Sequence, residues 1–355
     1  MERADEGLAF LLRYENIAWY KNGEVRILDR RIYPIRTEFV TCKSVQEVAQ
    51  AIKDMVTQSA GPYLAAAMGM ALAAHEIADR EDVDVLTYME DAAYTLSHAR
   101  PTTVEQMKRV VGGSMDVVRQ CLREGARGEA LVEALFQYAC NFVNNNYKKY
   151  TLVGENLAKL IPKNGTIMTQ CFGDTVVGTI LRACKRLNNP IKVICAETRP
   201  YFQGSRLTAS VACDMGFPVT VITDNMPGYT LKAKKVDLFT SASDVITVDG
   251  HIINKVGTFQ IALAAHYYGI PYYVTGTPDP DHPDIRDVRI EERDPELVLK
   301  ALDVKLTMDG VEGFYPAFDI TPPELCSGVV TDLGVYQPQD LRRYFADSEK
   351  NSQKE

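Results

Sequence analysis

At 355 residues the chain has room for two domains, and 46% hydrophobic with 24% charged residues is the balance of an ordinary globular protein. A net charge of −8, with no run of Lys and Arg interleaved with aromatics, argues against a nucleic-acid surface. The longest apolar run, residues 63–74, is too short to cross a bilayer, and the opening MERADEGLAF has no signal-peptide character. The eight cysteines are scattered singly, which argues against zinc and a disulfide framework and fits a reducing cytoplasm.

In chain order, residues 14–34 read as short strands. Ala18-Trp19-Tyr20 leads to a turn at Asn22-Gly23 and 25–28 returns, a hairpin signal read as a structural cap. From Ser44 the pattern turns helical. Ser44 with Glu47 forms a capping box, and Val45, Val48, Ile52 and Met55 make a stripe. A helix over 65–77 is rich in Ala, Gly and Met, so close packing is its default role. The turn before it, Thr57-Gln58-Ser59-Ala60-Gly61-Pro62, feeds a helix amino terminus that can bind an anion, although most such turns only connect helices. Arg100-Pro101-Thr102-Thr103 reads as another helix start. Its arginine is either solvated or a clamp for phosphate, which its planar fork suits. Helices over 107–123 and 129–146 complete a domain over 1–147, a small β cap followed by helices.

From Thr151 strand and helix alternate. Short strands over 166–169, 191–196, 219–222, 236–240 and 272–274 each finish in a polar cluster. The predicted class is α/β, with a Rossmann-like doubly wound parallel sheet over 148–347 whose carboxyl edge is the working face, and a disordered tail over 348–355. Between the last two strands a helix is expected after Asn254-Lys255, with Val256, Phe259, Leu263 and Tyr267 on one face, ended by Gly269 and Pro271. No G-x-G-x-x-G follows the first of these strands and no G-x-x-x-x-G-K-[ST] occurs, which argues against a dinucleotide or P-loop site.

Four residue types then gather on one sheet edge. Cys171 ends a strand before a helix start, where a thiolate is favoured; a small buried side chain at a tight turn is the alternative. Asp244 reads as a general acid or base, or as a turn aspartate. Lys255 and Asn254 suit an anion, and Glu197 and Arg199 either serve the edge or pair with each other. The five histidines fall into no metal spacing or triad. An acid, a thiol, a lysine and an arginine on one edge mean more together than each does alone.

The stretches ETRPYFQGSRLTASVACDMGFPVTVITDNM at 197–226, TIMTQCFGD at 166–174, NKVGTFQIALAAHYYGIPYYV at 254–274 and FDITPPEL at 318–325 resemble the methylthioribose-1-phosphate isomerases. The likeness extends to ILDRRIYP at 27–34 and ARPTTVE at 99–105, and so covers nearly the whole chain. The same superfamily holds 5-deoxyribose-1-phosphate and ribose-1,5-bisphosphate isomerases and the non-catalytic regulatory subunits of translation initiation factor 2B. The resemblance implies Cys171 and Asp244 as the catalytic pair, Arg100, Gln203, Asn254 and Lys255 as contacts to a small sugar phosphate, and a homodimer; no metal or organic cofactor is required. Two departures stand out. Where the isomerases hold phosphate with an R-G-A-P turn, this chain reads Ser59-Ala60-Gly61-Pro62, leaving Ser59 and backbone N–H groups. Where they read G-A-D-R, Val245 follows Asp244, which predicts a less polar pocket that keeps the Asp244 carboxyl protonated. The expected activity is aldose–ketose isomerisation of 5-methylthioribose 1-phosphate or a 5-deoxy analogue. The alternative is a regulatory protein that binds a sugar phosphate or nucleotide.

Overall fold

The computed structural model describes residues 2–100, 104–302 and 304–352. The chain divides into two compact units, Met1–Lys148 and Lys149–Glu355. In the first, strands β1 (Ala18–Lys21), β2 (Glu24–Leu28) and β3 (Phe39–Cys42) form an antiparallel sheet. Asn22 and Gly23 both hold positive φ, 50° and 77°, the two-residue turn that suits a twisted hairpin. The helices α1 (Val45–Lys53), α2 (Gly61–Glu76), α3 (Val85–Ser97), α4 (Val104–Arg123) and α5 (Glu129–Ala158) follow. Ser44 Oγ accepts from the Glu47 amide at 3.2 Å, and the Glu47 carboxylate accepts from the Lys43 amide at 2.6 Å. The cap is therefore reciprocal, but it closes on the residue before the N-cap. α2 begins earlier than its apolar run because Gly61-Pro62 suits a first turn. Of the helix start read at Arg100–Thr103, residues 101–103 lie outside those described. α5 runs twelve residues past its expected end at 146, into the region read as alternating strand and helix. Buried Val143, Tyr147, Val153 and Leu157 continue its stripe.

In the second unit the elements are β4 (Thr166–Gln170), α6 (Thr175–Arg186), β5 (Lys192–Ala196), α7 (Ala209–Asp214), β6 (Val219–Ile222), α8 (Pro227–Ala233), β7 (Leu238–Ser241), β8 (Val245–Ile246), β9 (Ile252–Lys255), α9 (Thr258–Tyr267), β10 (Tyr272–Thr275), β11 (Lys300–Ala301), β12 (Val304–Lys305), β13 (Phe318–Thr321), β14 (Gly328–Val330), β15 (Val335–Tyr336) and α10 (Arg342–Ser352). Among the described residues seven strands form one sheet in the order β15-β14-β10-β7-β4-β5-β6. Every pairing in it is parallel except β14 with β15 at the edge. Its inner strands β4, β5, β7, β10 and β14 are short apolar runs largely buried on both faces, as parallel strands require, while the edge strands β6 and β15 are partly exposed. Phe239 of β7 stacks on Tyr272 of β10 with centroids 4.5 Å apart, and Met168, Ile194, Val274 and Val329 pack into the same core. Burial of each such side chain is worth roughly 1.5–3 kcal/mol.

The order of strands locates the site. From β4 the chain winds outward through β5 and β6, then returns to β7 on the other side of β4 and continues to β10 and β14. The winding reverses between β4 and β7, the kind of point at which open α/β sheets bind ligands. Cys171 follows β4 and Asp244 follows β7.

Three expectations need correction. Asn254 and Lys255 end a strand rather than start a helix, because Ile252 and Ile253 pair with β13 in a small antiparallel sheet, β13-β9-β8. The face of α9 read as apolar is the outer one: Leu263 is 44% and Tyr267 81% exposed, while Thr258, Ile261, Ala262 and Ala265 are buried. Both faces of that helix carry apolar residues, so periodicity alone does not choose between them. The segment read as a disordered tail from Ser348 is helical as far as Ser352, in α10. Among the described residues no helix is long and apolar enough to cross a membrane.

Candidate active site

The ends of β4, β5 and β6 are wired together. The Asp224 carboxylate, just beyond β6, accepts from the amides of Thr198 and Arg199 at 2.8 and 2.7 Å. That holds the turn after β5, where Thr198 sits at φ 63°. Thr198 Oγ1 then accepts from the Cys171 amide at 3.0 Å, and Thr208 Oγ1 donates to the Cys171 carbonyl at 2.5 Å. Cys171 itself is held at φ 62°, a left-handed conformation uncommon for a residue with a side chain. Strain at one residue, fixed by two threonines and an aspartate from neighbouring strand ends, is a common mark of a functional turn.

The close approach of the next segment depends on Gly204. A Cβ there would lie 1.8 Å from the Ala196 carbonyl oxygen. Gly204–Thr208 is one π-helical turn packed directly on the end of β5, and it carries Thr208 to Cys171. Gly204→Ala must push that turn away. The expected cost is about 3 kcal/mol, the upper end for overpacking, read by denaturant unfolding. An unchanged midpoint would mean that the turn moves freely and does not fix Cys171.

The charges around the thiol are specific. Burial pushes Cys171 up to about 11, Lys255 pulls it back down and Asp244 pushes it further up. The helix-start thiolate expected here is therefore the minor form at neutral pH. α6 begins only at Thr175, and burial outweighs the nearby cation. Lys255 is 3% exposed. Its Nζ lies 4.9 Å from the Phe318 ring and 5.6 Å from the Tyr315 ring, and donates to Tyr315 Oη at 3.4 Å. Burial holds its pKa below the usual lysine range, against opposing pulls from Cys171 and Asp244. Arg293 stacks on the same Phe318 ring at 5.4 Å and is gripped by Glu291 through two bonds of 2.9 and 3.0 Å. Asp244 is exposed, so the less polar surroundings expected from Val245 to keep its carboxyl protonated are not found around it; they belong instead to Lys255, between two aromatic rings. The polar run Ser241-Ala242-Ser243 carries the chain out of the sheet before Asp244 is reached.

Asn254 is 4% exposed and donates from Nδ2 to Thr258 Oγ1 at 3.0 Å. Gln203 is 7% exposed, and its Oε1 has no hydrogen-bond partner among the described residues. The structure thus couples Cys171, Asp244 and Lys255 electrostatically and sets Asn254 beside Lys255. Gln203 leads into the turn that reaches Cys171. Ser59 and Arg100 belong to the first unit: Ser59 is exposed at φ 56° in the turn before α2, and Arg100 is half-buried beyond the end of α3. Sequence reasoning missed Thr198, Thr208, Asp224, Arg293, Tyr315 and Asp319. Asp319 lies inside the FDITPPEL motif, which was the available signal for it. Thr198, Thr208 and Asp224 likewise lie inside the motif at 197–226, whereas Arg293 and Tyr315 lie outside every motif and reveal themselves only when loops and strand ends meet.

Comparison with known proteins places this arrangement. The model of the initiation factor 2 subunit family matches residues 56–338. The methylthioribose-1-phosphate isomerase of Thermosipho africanus is 33% identical, with 92% of this chain and 97% of that protein covered. That of Roseiflexus castenholzii is 32% identical, covering 93% and 98%. The crystal structure of 5-methylthioribose 1-phosphate isomerase from Pyrococcus horikoshii OT3 superposes with a TM-score of 0.83 at 28% identity, covering 94% of this chain and 96% of that one. A structure titled translation initiation factor eIF-2B, subunit delta, from A. fulgidus gives 0.79 at 29% identity, covering 91% and 96%. The chain belongs to the initiation factor 2 subunit family and, by the sequence relatives matched over nine-tenths of its length, to the methylthioribose-1-phosphate isomerases.

Proposed function

We propose that the chain is an aldose–ketose isomerase that converts 5-methylthioribose 1-phosphate, or a 5-deoxy analogue, to the corresponding ribulose 1-phosphate. The observation that carries this reading is the placing of Cys171 and Asp244 on the two strands that flank the switch point, with the buried Lys255 acting on the thiol. An aldose 1-phosphate cannot open its ring unaided, because the phosphate blocks the anomeric oxygen. Asp244, which acts as a carboxylate on the thiol of the free protein, takes up a proton with the bound substrate and donates it to the ring oxygen as its bond to C1 breaks. The hydrogen on C2 then moves to C1, the C2 hydroxyl becomes a carbonyl, and its proton returns to Asp244. Lys255 neutralises phosphate, and Asn254 and Gln203 orient hydroxyls. For Arg100 the resemblance alone supports a substrate contact, and Ser59 with the N–H groups of its turn is what the departure from the R-G-A-P turn leaves for a phosphate. The proposal extends to a homodimer working in methionine salvage in the cytoplasm.

Burial of Cys171 bears on the hydrogen transfer. A thiol pushed up to about 11 leaves roughly one thiolate in ten thousand at pH 7. Waiting for that form costs about 5 kcal/mol if the thiolate must abstract the C2 proton. We infer that the thiol stays protonated and steadies charge on the C2 oxygen while the hydrogen passes directly from C2 to C1.

Phosphorus NMR on 5-methylthio-, 5-deoxy-, 5-phospho- and unmodified ribose 1-phosphate in deuterated water tests both points. Conversion to a ketose 1-phosphate signal is expected, fastest for one of the first two, with no solvent deuterium at C1. Deuterium at C1 would restore the thiolate as base. Binding without conversion across the panel would make the chain a regulatory protein, with the Ser59 turn as the first suspect for the loss.

A further inference from the structure

A half-buried carboxylate lies beside the candidate site and has no part in the chemistry above. Asp319 of β13 pairs directly with Asn254 of β9, and its neighbour Phe318 pairs with Lys255. Its Oδ2 accepts from the amides of Gly257 and Phe259 at 2.6 and 3.1 Å. Those amides begin α9, and they close the turn that follows Asn254-Lys255. The turn is tightly specified: Gly257 holds φ 106°, and a Cβ there would come within 2.9 Å of Gln170 Nε2. Gln170 Nε2 in turn donates to the Val256 carbonyl at 3.1 Å. Asp319 Oδ1 is buried and has no hydrogen-bond partner among the described residues.

We propose that Asp319 is a positioning residue for the isomerase reaction, a proton-dependent clamp that as a carboxylate fixes the turn after Asn254 and Lys255 and as a carboxyl group loosens it. The inference rests on the isomerase reading for its effect on turnover, and for its titration on the two amide bonds to Oδ2 together with the raised pKa of the carboxyl. Oδ2 carries both amide hydrogens, so Oδ1 is the atom that takes the proton. A charge-assisted bond to an amide is about twice as strong as a neutral one, so protonation weakens both ties at once. Burial pushes Asp319 up to about 6, against the pull of the Gly257 and Phe259 amides and of Lys255. The ionisable groups facing it are Lys255 of β9 and Tyr272 of β10. α9, packed against β13, carries no ionisable side chain before His266 in its last turn.

Asp319→Asn keeps an acceptor oxygen but no charge, and so mimics the protonated form at every pH. The wild type is expected to show an acid limb in kcat/KM with its midpoint near 6. In Asp319→Asn that limb is gone, with kcat/KM about tenfold below wild type at pH 8, mostly through KM, and within about twofold of it at pH 5. Melting temperature against pH supplies the second readout. A carboxyl raised in the folded state contributes its stability below the unfolded value near 4 and loses it as pH rises through about 6. The wild type should therefore lose melting temperature relative to Asp319→Asn over that window. Parallel melting curves would overturn the titration, whatever the activity. An acid limb retained in the variant would overturn the clamp as its source. Absence of turnover in both proteins, with diverging melting curves, would overturn the isomerase reading and leave the clamp standing.

Discussion

Asp244→Asn and Cys171→Ala each reduce kcat by a hundredfold or more while the protein stays folded. Positioned general acid–base catalysis is worth on the order of a hundred- to ten-thousand-fold, and an amide cannot give the ring oxygen its proton. Asp244 is exposed and the asparagine is isosteric, so the cost in stability should stay within about 0.5 kcal/mol. Cys171→Ala removes a sulfur from a residue whose backbone is already fixed by Thr198 and Thr208, and alanine meets the same conformational strain at φ 62°. The loss there should be about 1 kcal/mol. A coupled readout separates chemistry from structure. Asp244 holds the thiol up, so Asp244→Asn should speed alkylation of Cys171 at pH 8 even as turnover stops. Turnover at the wild-type rate in either variant would sink the catalytic pair, and unchanged alkylation in Asp244→Asn would show that the two groups do not feel each other.

Much of this arrangement can be read in the sequence because it obeys local rules. The strand ends at Gln170, Ala196, Ile222 and Ser241 announce themselves through apolar runs that stop at polar clusters. A parallel sheet must put such clusters on one edge, which sets Cys171 and Asp244 on the same edge, and the adjacency of β4 and β7 then brings their ends together. Three kinds of information are not local. Lys255 looked like a helix-start cation because Asn254-Lys255 precedes an apolar helix; its place in a strand depends on β13, more than sixty residues away. The state of Cys171 depends on how much protein covers it, and a strand–turn–helix pattern carries no information about burial. The wiring from Asp224 through Thr198 to Cys171 joins three strand ends, and each residue taken alone reads as an ordinary turn former. Arg293 and Tyr315 belong to the segment between β10 and β13, and the contacts of Tyr315 with Lys255 and of Arg293 with Phe318 follow from its return path and not from its own pattern.

Lys255→Met should cost function and leave the fold at least as stable. The side chain is enclosed by Phe318 and Tyr315, which welcome a methionine of similar length. The folded-state pKa of Lys255 lies below the ordinary lysine value. A group depressed in this way contributes fully to stability only above its unfolded pKa, near 10.5, and burying its charged form works against folding at neutral pH. Removing the ammonium lifts that penalty, so the melting temperature should hold or rise. Breaking a buried cation away from its charged partners usually destabilises strongly, but here Cys171 is held mainly as the thiol, Arg293 loses a repelling neighbour, and Asp319, already pushed up to about 6 with Lys255 present, can take a proton in its absence. Turnover has no such compensation. With the phosphate's cation gone, kcat/KM should fall by at least a hundredfold, which corresponds to about 2.7 kcal/mol of lost transition-state stabilisation. Alkylation of Cys171 should slow as well, because the charge that holds its pKa down has left. A protein that is stable, inactive and sluggish toward alkylation places Lys255 in the chemistry. A protein that melts early and loses activity only in proportion to the unfolded fraction makes Lys255 a structural cation, and the anion site must then be sought elsewhere in the chain.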